Sequence, residues 1–136
     1  MPKITLVAIA LTILALIQLI YFSTLVGRAR GKYNIKAPAV TGHEMFERYY
    51  RVQMNSIEQI VLFLPALWIA SALANLAYYW IALIGVVYLI GRQIYQISYV
   101  AEPSKRSLGY ALTAVPVLIL IISDLIGVVM GWMHAS

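Results

Sequence analysis

The sequence predicts an all-α integral membrane protein, a four-helix bundle running up, down, up and down. Three observations carry that reading. The 136 residues are 62% hydrophobic and only 11% charged, whereas soluble domains carry about 25% charged residues. Four apolar runs are each long enough to cross a hydrocarbon core, which takes roughly 17–25 helical residues. Nine of the ten lysines and arginines fall in two regions, Arg28 to Arg51 and Arg92 to Arg106, so the charge is banded. Residues 1–136 are expected to form one transmembrane domain with no room for a soluble module.

The first span is expected over about 4–26. Ile4 to Val26 is apolar apart from Thr5, Thr12, Gln18, Tyr21, Ser23 and Thr24. It exceeds a signal-peptide core of about 7–15 residues, and no small-x-small cleavage site follows, so a retained helix is expected. Gly27 to Gly42 reads as a basic loop broken by Gly31, Pro38 and Gly42. Thr41 with Glu44 three residues later suggests a capping box. The second helix would then start as a polar extension and enter the membrane over about 57–74, with Pro65 inside it. Such a proline is tolerated where neighbouring helices satisfy the freed carbonyl.

Asn75 to Trp80 is an uncharged turn, and Tyr78, Tyr79 and Trp80 make an interfacial aromatic belt. A third span follows over about 79–97. Ala101 to Ser107 forms a second basic loop, and the fourth span covers about 108–132. Short connections favour antiparallel neighbours. The basic loops share one side, and the positive-inside rule places them in the cytoplasm with the termini opposite. A bacterial inner membrane or the endoplasmic reticulum would suit this arrangement.

There are no cysteines, which excludes disulfides, thiolate metal sites and a cysteine nucleophile. His43 and His134 lie far apart, so no metal is expected. The cations sit beside hydrophobic spans rather than on a solvated basic face, so no nucleic-acid partner is expected.

One polar cluster stands out. Glu47 to Glu58 presents Arg48, Arg51, Gln53 and Asn55 between two carboxylates and leads directly into lipid-facing sequence. At 100° per residue, Glu47, Arg51, Asn55 and Glu58 form one helical stripe, Arg48 lies beside it, and Gln53 points the other way. A Glu47–Arg51 pair at a solvated helix start explains two of these, at about 0.2–0.5 kcal/mol. It does not explain Asn55 and Glu58, which sit where the apolar span begins. Polar groups there are costly and suit a zwitterionic, peptide-like ligand.

The third span carries a matching stripe of Tyr88, Arg92, Tyr95 and Tyr99. Interfacial tyrosines are ordinary, but Arg92 lies about two turns inside the loop. It can snorkel or pair with Glu58 across helices. Arg106 at the start of the fourth span reads first as a positive-inside anchor. Asp124 is the most isolated charge; a lone carboxylate at that depth is expected to be neutral or paired, with helix packing as its role. Ser123 and Gly127 beside it would allow close helix approach.

Phe46-Glu47-Arg48-Tyr49-Tyr50-Arg51-Val52-Gln53-Met54-Asn55-Ser56-Ile57-Glu58 resembles the signature of the membrane-associated proteins in eicosanoid and glutathione metabolism, the MAPEG family. The likeness continues through Leu62-Phe63-Leu64-Pro65-Ala66-Leu67-Trp68. Val87 to Arg92, with Tyr95, Tyr99 and Arg106, resembles a second block, and Tyr21-Phe22-Ser23 with Ala29-Arg30 the end of the first helix. It spans roughly Gln18 to Tyr110. The resemblance implies a homotrimer of four-helix subunits that binds glutathione between neighbours near the cytoplasmic surface. It further implies conjugation of that co-substrate to lipophilic electrophiles from the bilayer, with lipid hydroperoxide reduction as a related activity.

By position, the resemblance implies that Arg30, Arg51, Gln53, Asn55, Glu58, Tyr95 and Tyr99 bind glutathione. It implies that Arg106 activates the thiol as the catalytic residue; Glu47, Arg48 and Arg92, from their places on or beside the two stripes, are expected in support. The opposed direction of Gln53 then fits a site shared by two subunits. Gln59 stands where the leukotriene-forming pattern has a tyrosine, and Gly31 where it has an arginine. A broad transferase or peroxidase is therefore expected rather than leukotriene synthesis. The alternatives are a non-enzymatic lipid-presenting protein of the same fold and a small transporter resting on Asp124 alone.

Overall fold

Each apolar run becomes a helix longer than the membrane requires, because polar residues extend it at one end. The computed structural model describes residues 1–135. The helices are α1 (Lys3–Lys32), α2 (Glu44–Leu73), α3 (Tyr78–Ala101) and α4 (Ser107–Ala135), with a 3₁₀ turn at Pro103–Lys105 before α4. All four include stretches long and apolar enough to cross a membrane. The chain is an all-α, four-helix integral membrane protein.

The first loop is shorter than the sequence suggests. Gly27 and Gly31 do not break the helix; α1 continues to Lys32. A mid-helix glycine costs only about 1 kcal/mol. That is offset because Val26 and Ala29 bury against Ile35 and Phe46. The helix stops where Asn34 takes a left-handed conformation, φ 56°, and Ile35 N–H closes back onto the Arg30 carbonyl at 3.0 Å.

The expected Thr41 cap is also corrected. His43 caps α2, its Nδ1 accepting from Met45 N–H at 3.1 Å. Its ring stacks on Tyr33 at 3.9 Å. The stack holds the loop against the end of α1 and puts the cap two residues later than a capping box would.

The core runs along the bundle axis. Ala8, Leu11 and Ala15 of α1 meet Phe63, Ala66 and Leu67 of α2, Ile81 and Tyr88 of α3, and Val117 and Leu120 of α4. Phe63 and Tyr88 stack at 3.8 Å. Close helix approach comes from glycine at three crossings: Gly85 faces Leu11, Gly91 faces Leu112, and Gly109 faces the Tyr95 backbone. Small residues at such crossings are how membrane helices maximise van der Waals contact. Outward residues such as Val61, Ile90 and Leu125 are exposed and apolar, as a lipid-facing surface requires.

The end away from the basic loops is closed by Asn75. Its side-chain amide donates to the Ser123 carbonyl at 2.6 Å and the Ser123 hydroxyl at 3.0 Å. A Cβ on Gly127 would sit 2.8 Å from that amide. Gly127 thus admits both the α2–α3 turn and Leu73 at the end of α2, 3.0 Å from an added Cβ, while Ser123 bonds the turn.

Candidate functional site

The polar extensions of α2, α3 and α4 meet at the basic end of the bundle, and the groove between them gathers most of the predicted site. Arg51 and Asn55 come from α2, Tyr95 and Tyr99 from α3, and Arg106 and Tyr110 from the start of α4; together they line a space of about 310 Å³. It adjoins a second groove of about 400 Å³ that includes Glu44, Glu47, Arg48 and Tyr50. Arg51 and Tyr99 line both.

Local sequence explains the placement. On α2, Val52, Ser56 and Gln59 face the core, which turns Arg51, Asn55 and Glu58 outward. On α3, Tyr88, Arg92 and Tyr95 are buried, and Tyr99 stacks one turn above Tyr95 at 5.4 Å. Gly109 lets α4 start close to Tyr95. Arg106 donates to the Pro103 carbonyl at 3.1 Å, steadying the 3₁₀ turn.

Arg92 is the floor of the groove. It is 1% exposed, so it does not snorkel. Its guanidinium donates to Asn55 Oδ1 at 2.9 Å, Ser56 Oγ at 3.2 Å and Thr113 Oγ1 at 3.4 Å. It lies 4.3 Å from the Tyr95 ring. Glu58, its expected partner, makes no ion pair among the described residues; it accepts instead from Asn55 at 3.4 Å.

Arg48 clamps the elements together. It donates to the Val100 and Ala101 carbonyls at 2.9 and 3.0 Å and pairs with Glu44. A cation on carbonyls left free at a helix C-terminus is favourable. The α2 ion pair is thus Glu44–Arg48, not the anticipated Glu47–Arg51. Beyond it, Glu102 accepts from Ser104 at 2.8 Å and pairs with Lys105 at 3.0 Å. The Ser104 hydroxyl and then Lys105 hold its carboxyl below the usual carboxylate range.

Three predicted residues, Arg30, Gln53 and Glu58, lie outside this groove's lining. Arg30 donates to the Ile35 and Ala39 carbonyls at 3.3 and 2.7 Å and lies over the Phe46 ring. Gln53 is partly buried and, among the described residues, makes no side-chain hydrogen bond. Tyr110, Ser56 and Thr113 belong to the site or its support without having been predicted. Tyr110 was signalled by its i, i+4 spacing from Arg106, which puts both on one helical face. No cluster of three or more His, Cys, Asp or Glu able to hold a metal occurs among the described residues.

The MAPEG family profile matches residues 7–126. An uncharacterized protein of Synechocystis sp. is 41% identical over 103 residues, covering 76% of this chain and 74% of that protein. Human microsomal glutathione S-transferase 2 is 38% identical over 104 residues, 76% of this chain and 69% of the relative. Leukotriene C4 synthase of Cavia porcellus is 38% identical over 95 residues, 70% of this chain and 62% of the relative.

Proposed function

The chain belongs to the MAPEG family, and from that premise we propose a membrane-bound glutathione transferase that conjugates glutathione thiolate to lipophilic electrophiles. Reduction of lipid hydroperoxides is a second use of the same thiolate. The observation that carries the reading is the convergence of Arg51, Asn55, Tyr95, Tyr99 and Arg106 on one groove. The printed names of the relatives, glutathione S-transferase and leukotriene C4 synthase, support a glutathione-dependent reaction.

The chemistry of the ligand fits that lining. Glutathione carries two carboxylates, an ammonium, two amides and a thiol. Arg51 offers a carboxylate charge-assisted hydrogen bonds. Asn55 suits an amide, Glu58, outside the lining but in contact with Asn55, would answer the ammonium, and the tyrosine hydroxyls close the space. In a homotrimer, Arg30 and Gln53 would serve the groove of the next subunit, and their position away from this one supports that assignment. With the basic loops in the cytoplasm, the site would open to cytosolic glutathione.

Arg106 is assigned to the thiol. The thiolate is the nucleophile, and a free thiol has a pKa of about 8.5. A cation about 4 Å away contributes up to about 4 kcal/mol at an effective dielectric of 20. Desolvation of the thiolate opposes part of that, leaving a pKa near about 6.5 within reach. The guanidinium stays protonated and does not compete for the proton. Ionisation on binding then supplies the nucleophile without a general base, and the electrophile arrives from lipid.

The second reading is a lipid-presenting protein without catalysis. It draws on a groove of about 300 Å³ between α3 and α4, lined by apolar residues that include Leu83, Val87, Leu112 and Val115. Ultraviolet difference titration of glutathione into the purified protein at neutral pH separates the two. A saturable thiolate signal that Arg106→Ala abolishes, with glutathione affinity retained, is the expected outcome. Glutathione bound as the thiol by the intact protein would transfer the case to lipid presentation.

A further inference from the structure

A further polar cavity lies at the basic end of the bundle, away from both grooves. Leu25, Arg28, Ala29 and Lys32 of α1, Tyr33 just beyond it, and Tyr49 of α2 enclose about 220 Å³. Arg28 and Lys32 are one turn apart and share a face. Arg30, two residues from each, is turned about 200° away from it, onto the loop carbonyls. Both cations are exposed.

No negative charge answers them. The cavity lining contains no carboxylate. The ion pairs among the described residues are Arg48 with Glu44 and Lys105 with Glu102. The Arg28 side chain makes no hydrogen bond among the described residues, and the Lys32 side chain lies only over the Tyr33 ring, at 5.4 Å. Cations at a helix C-terminus complement its dipole, which accounts for their sign. It does not account for a preformed cavity with two phenols and an unanswered double charge. One wall is already fixed, because Tyr33 is stacked on His43.

The depth of the cavity identifies the ligand. A bilayer is about 30 Å thick in hydrocarbon and about 40–45 Å with headgroups, so each headgroup layer is roughly 5–8 Å. From Leu25 to Lys32 the helix rises about 10 Å. Leu25 sits at the end of the apolar run of α1, so the cavity starts at the hydrocarbon edge and crosses the headgroup layer. We propose that it is a binding site for the phosphate headgroup of an anionic membrane lipid. Arg28 and Lys32 bind the phosphate, the Tyr33 and Tyr49 hydroxyls donate to its oxygens, and Leu25 receives the start of an acyl chain. Basic pockets between membrane helices recognise anionic headgroups in this way.

The test uses the purified full-length protein in neutral detergent. Phosphatidylglycerol, phosphatidylcholine and inorganic phosphate are titrated separately, and binding is read by native mass spectrometry and thermal shift. Phosphatidylglycerol should bind and raise the melting temperature, while phosphatidylcholine should do neither. Arg28→Gln/Lys32→Gln should weaken that binding about thirtyfold, as expected for losing two cations at a lipid surface. Arg28→Lys/Lys32→Arg keeps the charge and should retain it. Glutathione binding should be unchanged in both variants. Equal binding by the neutralised variant, or equal binding of phosphatidylcholine, would overturn the site. An equal response to inorganic phosphate would overturn the lipid as its source.

Discussion

Arg92 of α3 donates to Asn55 of α2 at 2.9 Å, so a buried cation holds a groove residue from behind. The same guanidinium reaches Ser56 and Thr113 and thereby ties three helices together below the site. Its hydrogen-bond partners are neutral oxygens and it faces an aromatic ring, while Glu58 acts on it only from beyond ion-pair distance.

Arg92→Ala should therefore be among the most destabilising single changes. It leaves Asn55, Ser56 and Thr113 without their common donor, although Ser56 and Thr113 keep their bonds to the Val52 and Gly109 carbonyls. It also opens a cavity where a large buried side chain stood, a change that costs about 2–5 kcal/mol in a core. Thermal unfolding in detergent should show a clear fall in midpoint. Arg92→Lys retains the charge but cannot span three acceptors with a planar fork. It should fold, and it should bind glutathione more weakly because Asn55 is no longer held. A lysine variant with unchanged affinity would reduce Arg92 to a packing residue.

How much of this was legible depended on periodicity. The stripes of Glu47, Arg51, Asn55 and Glu58 on α2 and of Tyr88, Arg92, Tyr95 and Tyr99 on α3 followed from 100° per residue. The structure brings Arg51, Asn55, Tyr95 and Tyr99 into the groove lining, leaves Glu47 in the adjoining groove and Glu58 outside, and buries Tyr88 and Arg92. The partner of Arg92 did not follow. Sequence offers Glu58 as the obvious opposite charge, but Ser56 is buried and Asn55 half-buried within reach of the guanidinium, while Glu58 is exposed. Charge pairing is visible in a sequence; which oxygen lies within 3 Å across a helix crossing is a property of packing. The Gly27–Lys32 segment was misread for a related reason. Glycine propensity is local, whereas burial of Ala29 against Phe46 is tertiary.

Arg51→Ala should act on binding rather than folding, because the Arg51 side chain is exposed and makes no hydrogen bond or ion pair among the described residues. A hydrogen bond to a charged group is worth about 1.5–3 kcal/mol, which corresponds to roughly 10–150-fold in affinity. Isothermal titration with glutathione should show that loss, with the melting temperature nearly unchanged. Retained affinity would remove Arg51 from the ligand set.

Asp124 is 7% exposed and its Oδ1 has no hydrogen-bond partner. It lies near the Asn75–Ser123 closure, at the end of the bundle opposite the groove. Asp124→Asn removes the ionisable group without changing its size. The melting temperature at neutral pH should rise, because the substitution keeps the unsatisfied oxygen but removes the cost of an unpaired charge at that depth. Turnover should be unaltered. Selective loss of activity with intact stability would show that the carboxylate takes part in function.

Gly109 offers the sharpest link between packing and chemistry. A Cβ there would lie 2.5 Å from the Tyr95 Cα and 2.8 Å from its Cβ. Backbone cannot yield as a flexible side chain does, so Gly109→Ala should push the start of α4 away from α3. Overpacking of this kind costs about 1–3 kcal/mol. The displaced segment carries Arg106 and Tyr110, which line one side of the groove, while Tyr95 lines the other. A misplacement of about 1 Å can cost on the order of a hundredfold in rate. Thiolate formation should therefore fall far more than the modest loss of stability suggests. Gly131→Ala is the matched control, since nothing lies within 4 Å of its added Cβ, and it should leave both quantities unchanged. If Gly109→Ala folds and still ionises bound glutathione normally, close approach of α4 to Tyr95 is not what sets the position of Arg106.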